Sequence, residues 1–324
     1  MKPSAPEPNP TSRLAHFPIA LFATVMGSAG LAIAWLKAHQ LNGLPLDIGI
    51  GLRWFASGLF VLLLVSYLLK LLRHPTAVRS DFAHPVKLNF FPAISIGLLL
   101  LAVSWAQDAP GAARVMWMIG ATAHLLFTLA AMTSWIHHSH YQITHATPAW
   151  FIPVVGNVIV PIAGMRFAHP DLSWFFFSIG IVFWLVLLTI ILYRLFFHDP
   201  LPPRLMSTLF ILIAPPAAAF LAYITLTGEV DNFARVLYFS ALFLTLLLGL
   251  NGLRFLRLPF FISAWATSFP LAAITIASLE MQARSGGFYN LLSGVLLTVT
   301  TVLVAILILK TVQAALRGQI CVPE

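Results

Sequence analysis

Residues 209–223 read LFILIAPPAAAFLAY, an unbroken apolar run with Pro215 and Pro216 set well inside it. A proline inside a helix removes one backbone hydrogen bond and clashes with the carbonyl four residues back, at a cost of about 3 kcal/mol. Working outward, the same device recurs four times. FPIALFA (17–23) centres on Pro18, FFPAISIG (90–97) on Pro92, FIPVVGN (151–157) on Pro153 and SFPLAAI (268–274) on Pro270. In hydrocarbon a freed carbonyl has no lipid partner, so such backbone persists only against protein or a water-filled cavity. Five repeats therefore point to five kinked helices around a common axis, which is how a pore is built.

Composition sets the solvent. The chain has 324 residues, 60% hydrophobic and only 9% charged. Soluble domains average roughly 25% charged residues, so this is a membrane protein. With about 20 apolar residues per span, the runs predict ten spans: 17–36, 48–72, 88–106, 112–136, 149–165, 172–197, 205–226, 232–254, 259–280 and 287–315. The expected fold is all-α, with ten transmembrane helices as five hairpins. Residues 1–16 read as a polar N-terminal tail, 17–315 as the membrane domain and 316–324 as a C-terminal tail. The proline-centred segments fall in the odd spans, roughly 55 to 75 residues apart, so one helical hairpin is the repeating unit.

Charge orients the spans. The net charge is +8, but the basic residues cluster at span ends, which the positive-inside rule explains without nucleic acid. Counting by side, 12 of the 18 Lys and Arg share the face that carries both termini. Both termini are thus expected in the cytoplasm, with the protein in the cell membrane, a bacterial inner membrane being the natural setting. The one cysteine, Cys321, excludes an intrachain disulfide and a thiolate metal site.

The candidate chemistry is sparse. Ion-coupled carriers usually keep a carboxylate or histidine at membrane depth. Here Glu280 ends the ninth span and His124 is the one histidine deep in any span, so these two are the candidate proton-linked sites. His137, His138, His140 and His145 share a loop and resemble a metal-binding tract, yet no cysteine or carboxylate joins them. A solvated loop is the reading favoured for them, and neither a metal nor a cofactor is expected. No Gly-rich phosphate loop, HExxH or GxSxG appears, so nothing speaks for an enzyme. Without a ring of Arg or Lys along the odd spans, selection among anions should be loose. Phe269 precedes Pro270, and a bulky ring beside a kink can plug a narrow apolar pore, since hydrophobic constrictions gate by dewetting.

Taken together, FPIALFATVMGSAGLAIAW (17–35), HPVKLNFFPAIS (84–95), TPAWFIPVVGNV (147–158), LFILIAPPAAAFLAY with GEVD (228–231), and WATSFPLAA (265–273) carry a resemblance. The chain resembles the tellurite-resistance/C4-dicarboxylate transporter family, which includes the plant slow-type anion channels. That resemblance implies a quasi-fivefold arrangement of five hairpins, with the odd helices lining a pore and the even ones outside. It also implies a homotrimer with one pore per subunit, and a phenylalanine in the ninth helix, here Phe269, that occludes it. The expected function is passive passage of small monovalent anions. The alternative is a proton-linked carrier of C4-dicarboxylates or tellurite-type oxyanions.

Overall fold

The computed structural model describes residues 12–137 and 141–322. Within them the chain folds into helices and connecting turns, with no strand. Ten helical stretches are long and apolar enough to cross a membrane: Ile19–Asn42, Leu46–Arg73, Lys87–Trp105, Pro110–His137, Pro148–Phe167, Pro170–Phe197, Pro203–Thr227, Asn232–Leu250, Ile262–Ser285 and Phe288–Leu316. They match the ten expected spans in number and order. The largest boundary shifts lie at the ends of the first and ninth spans, which run to Asn42 and Ser285, and of the eighth, which stops at Leu250.

Odd and even spans divide by burial. In the odd spans 72–83% of the apolar window is buried inside the protein, and in the even spans 28–33%. Each even helix packs on the odd helix of its own hairpin. The odd spans also touch one another in sequence, first to third, third to fifth, fifth to seventh and seventh to ninth, and the ninth returns to the first. Five inner helices therefore close a ring, with five outer helices around it.

The local structure of the inner spans differs from the expectation of proline inside a helix. Each begins with 3₁₀ turns: Ile19–Leu21, Lys87–Phe90, Pro148–Trp150, Pro203–Ile213 and Ile262–Thr267. Apart from Pro18, which precedes its 3₁₀ turn, the prolines stand where these turns give way to α-helix. Pro18 is extended and caps the first 3₁₀ turn, and Pro92 caps the α-helical part Ala93–Trp105. Pro153, Pro215, Pro216 and Pro270 fall within the first three residues of their α segments. An N–H in the first α turn has no partner in its own helix, so a proline there forfeits little.

Side chains complete the transition. In every inner span a hydroxyl or amide near the 3₁₀ segment donates to the carbonyl three residues back. Thr24 bonds Leu21 O (2.7 Å), Ser95 bonds Pro92 O (2.8 Å) and Asn157 Nδ2 bonds Val154 O (2.7 Å). Thr208 bonds Leu205 O (2.5 Å) and Ser268 bonds Trp265 O (2.6 Å). At Pro92 and Trp265 the carbonyl already accepts a backbone N–H, from Ile96 (2.9 Å) and from Ser268, so the return pairs the side-chain donor, which would otherwise be a costly orphan in hydrocarbon.

The ends of the spans are fixed by conventional signals. Gly43 and Gly228 adopt left-handed φ (65° and 83°) and stop the first and seventh spans. On the other face, Lys70 is 1% exposed and donates to the Phe17 carbonyl (2.9 Å) and to Asp81 (2.5 Å). That link ties the end of the second span and the short helix Pro75–Ala83 to the start of the first span.

Candidate functional site

Two cavities lie inside the ring. The first, about 50 Å³, is lined by Met26 and Ala23, Phe90 and Ile96, Phe151 and Val155, Ile211 and Pro215, and Trp265, Phe269 and Pro270, among others. The second, about 150 Å³, is lined by Ile33 and Lys37, Leu100 and Val103, Ile162, Leu221 and Thr225, and Phe269, Ile276 and Glu280, among others. Every lining residue of both cavities belongs to an odd span, and all five odd spans contribute to each. Either volume exceeds the roughly 10–15 Å³ that one water needs.

Phe269 lines both cavities, as does Ala218. The Phe269 side chain follows from the local backbone: Ile262–Thr267 is 3₁₀ and Ser268 starts the α segment, with Phe269 second and Pro270 third. The ring is 8% exposed. Opposite it, the first span has no side chain at Gly30, where a Cβ would lie 3.4 Å from Phe269 Cδ2 and 2.9 Å from Ala272 Cβ. At Gly27 a Cβ would meet Ser268 Oγ at 2.0 Å. The first and ninth helices therefore approach as closely as backbone allows, and the small residues there leave room for the aromatic ring.

The first cavity, called the inner one below and the second the outer one, is lined by apolar residues only, with Pro215 and Pro270 among them. Pro92, Pro153 and Pro216 are buried beside it and Pro18 is half-buried. The outer cavity differs in holding two charged side chains. Glu280 accepts an ion pair from Lys37 Nζ at 2.6 Å, and Arg284 Nε lies 3.9 Å from its other oxygen. Lys37 was not visible in the sequence as a lining residue, because the first span was expected to end at 36. A stop signal at Gly43 carries the helix six residues further, and read as a left-handed cap it would have placed Lys37 inside.

His124 sits elsewhere. It is fully buried on the fourth, outer span, with Nδ1 2.9 Å from Ser95 Oγ. Its Nε2 has no hydrogen-bond partner and faces Gly156, where a Cβ would come within 2.7 Å of it. The structure thus separates His124 from Glu280, the former behind the ring wall and the latter at a cavity. Among the loop histidines, His137 Nδ1 bonds the Thr133 carbonyl (3.0 Å) and His145 Nδ1 accepts from the Gln142 N–H (3.1 Å). His138 and His140 lie outside the described residues. Among the described residues no three His, Cys, Asp or Glu side chains gather as a metal site.

Ten apolar spans, five of them buried in a closed ring around shared cavities, define a multi-pass α-helical membrane protein of channel or transporter type. Residues 16–312 match the family model described as SLAC1, voltage-dependent anion channel, and the chain belongs to that family. It is 30% identical over 278 residues to the S-type anion channel SLAH3 of Arabidopsis thaliana, covering 82% of this chain and 43% of that protein. The guard cell S-type anion channel SLAC1 of the same plant is 26% identical over 322 residues, covering 96% of this chain and 58% of that protein. A tellurite resistance protein TehA homolog of Haemophilus influenzae is 26% identical over 319 residues, covering 93% and 92%. The chain thus spans about half the length of the plant relatives and nearly all of the bacterial one.

Proposed function

We propose that this protein is a passive channel for small monovalent anions, with the two cavities as halves of one conduit and Phe269 as the ring that closes it. The observation that carries this reading is that both cavities draw their walls from the five odd spans alone, and Phe269 borders each. The prolines Pro18, Pro92, Pro153, Pro215, Pro216 and Pro270 are read as the bends that open space between inner helices in a quasi-fivefold arrangement. An apolar, narrow inner half excludes water until the constriction widens, and no chemical step on the anion is involved. Both termini face the cytoplasm, and the working unit is a homotrimer with a conduit in each subunit, embedded in the cell membrane. The experiment is single-channel recording of the purified protein in planar bilayers, wild type against Phe269→Ala, with chloride, nitrate and malate. Phe269→Ala should raise chloride conductance at least about tenfold, a scale set by the barrier to dewetting rather than by charge. A variant that inserts equally well and conducts no more than wild type rejects the gate.

A proton-linked carrier of C4-dicarboxylates or tellurite-type oxyanions is the second reading, favoured by the likeness to the TehA homolog. Its two candidate proton sites are poorly placed: Glu280 is held by Lys37, and His124 is sealed between Ser95 and Gly156. Liposome uptake of labelled malate that collapses with the pH gradient would favour the carrier.

A further inference from the structure

Of all residues lining the two cavities, only Lys37 and Glu280 carry charge. They come from the first and ninth spans, and their side chains remain 25% and 21% exposed, so an ion in the outer cavity can reach both. Glu280 is flanked on its other side by Arg284, which also donates to the Gly228 carbonyl at 2.8 Å. The cluster of Lys37, Glu280 and Arg284 therefore carries one net positive charge.

We infer that Lys37 is the docking group for an anion in the outer cavity and that Glu280 is the counter-charge that limits its occupancy. The hydrogen-bonding inventory supports this. A lysine ammonium has three N–H donors, and the pair with Glu280 engages one of them. The hydroxyl of Thr225, the other polar side chain on this wall, already donates to the Leu221 carbonyl at 2.7 Å. An entering anion thus finds one charged donor with free N–H groups, beside a carboxylate that repels it. A fixed charge in a narrow, low-dielectric-walled vestibule acts on any ion passing it. Selection of anion over cation would then reside in this one pair, and not in a ring of basic residues.

The inference rests on the conduit reading, and the test separates the two. Phe269→Ala serves as the conducting parent, so that the constriction does not limit the current. On that parent, Glu280→Gln should raise chloride conductance about fivefold at low salt, and Lys37→Gln should lower it by a similar factor, as expected for one unit charge acting across a wet vestibule. The chloride-to-sodium permeability ratio should move in the same two directions. At 1 M salt, where the screening length falls to about 3 Å, both effects should shrink strongly. Lys37→Arg keeps the charge and should retain more of the parent's conductance and chloride-to-sodium ratio than Lys37→Gln does. A Lys37→Arg variant as impaired as Lys37→Gln would assign the effect to packing and overturn the inference. So would a conducting parent on which both neutralising variants stay within twofold. A parent that does not conduct removes the conduit itself, and the docking role with it.

Discussion

The inner and outer spans are built from the same apolar vocabulary and use it differently. Outer helices are regular: Ser57, Ser66, Ser178, Thr189 and Thr245 each return their hydroxyl to the carbonyl four residues back, the α-helical spacing. Inner helices add a three-residue return near their 3₁₀ segments, at Thr24, Ser95, Asn157, Thr208 and Ser268, and revert to the four-residue one further along, at Thr225 and Thr275. Glycines follow the divide only on the lipid-facing side of the outer helices. A Cβ at Gly51, Gly58, Gly249 or Gly294 on an outer helix meets nothing within 4 Å, while Gly49, Gly120 and Gly180 on outer helices press on an inner one, and Gly27, Gly30, Gly97 and Gly156 on inner helices also meet a neighbouring helix. Outer helices need a close fit on one face only, and elsewhere need only to be apolar and long. Inner helices must also fit backbone to backbone.

The sharpest way to break this contrast is to truncate one phenylalanine of each kind. Phe269→Ala should change conductance at least about tenfold, because it removes a dewetting constriction, while Phe243→Ala, 63% exposed on the eighth span, should leave it unaltered. Equal effects would erase the distinction between wall and rim. Next in size, Gly27→Ala forces a Cβ onto Ser268 and should cost about 1–3 kcal/mol by overpacking. Gly58→Ala, in open space, should instead stabilise by about 0.5–1 kcal/mol through helix propensity. Denaturation midpoints in detergent with increasing SDS would read both, and a combined Gly27→Ala/Ser268→Gly variant should recover part of the loss.

A smaller difference is expected from the hydroxyl returns. Ser95→Ala leaves His124 Nδ1 without its partner and should cost about 1–3 kcal/mol for a buried group left unpaired. Ser66→Ala on the exposed outer face should lie within about 0.5 kcal/mol of wild type by the same unfolding assay. The least effect concerns a joint between the two layers. Asp231 caps the eighth span through the Ala234 N–H (2.9 Å) and accepts the Tyr223 hydroxyl of the seventh (2.6 Å). These bonds, the Ala234 N–H foremost, hold its carboxyl below the usual carboxylate value. Its contribution is therefore complete above the unfolded value of about 3.9 and fades as pH falls through the lower folded one. Melting wild type and Asp231→Asn from pH 7 down to pH 3 should show the two curves converging only at the acid end.

Which of these features could be read beforehand follows from their physics. Apolar runs of some 20 residues announce spans whatever their neighbours do, and ten such runs appear in both readings. The odd prolines marked the inner helices, although their place at the 3₁₀ to α junction was not legible, because proline identity alone does not tell a helix interior from its first turn. Ser95, Asn157 and Ser268 were in plain sight as polar residues, but a hydroxyl shows its acceptor only once the turn geometry is known. Lys37 and Glu280 lie 243 positions apart in the chain. Their pairing depends on the ring closing between the first and ninth helices, which no local pattern encodes. The approach of Gly27 to Ser268 depends on the same closure and leaves no local pattern either.

The three-residue returns also bear on how the chain is made. Each pairs a side-chain donor from within its own helix, so a freshly synthesised hairpin brings no stranded hydroxyl or amide N–H at that turn into oil. Hairpins can therefore leave the insertion machinery one at a time, already shaped, and wait in the lipid for the later ones to arrive and shut the circle.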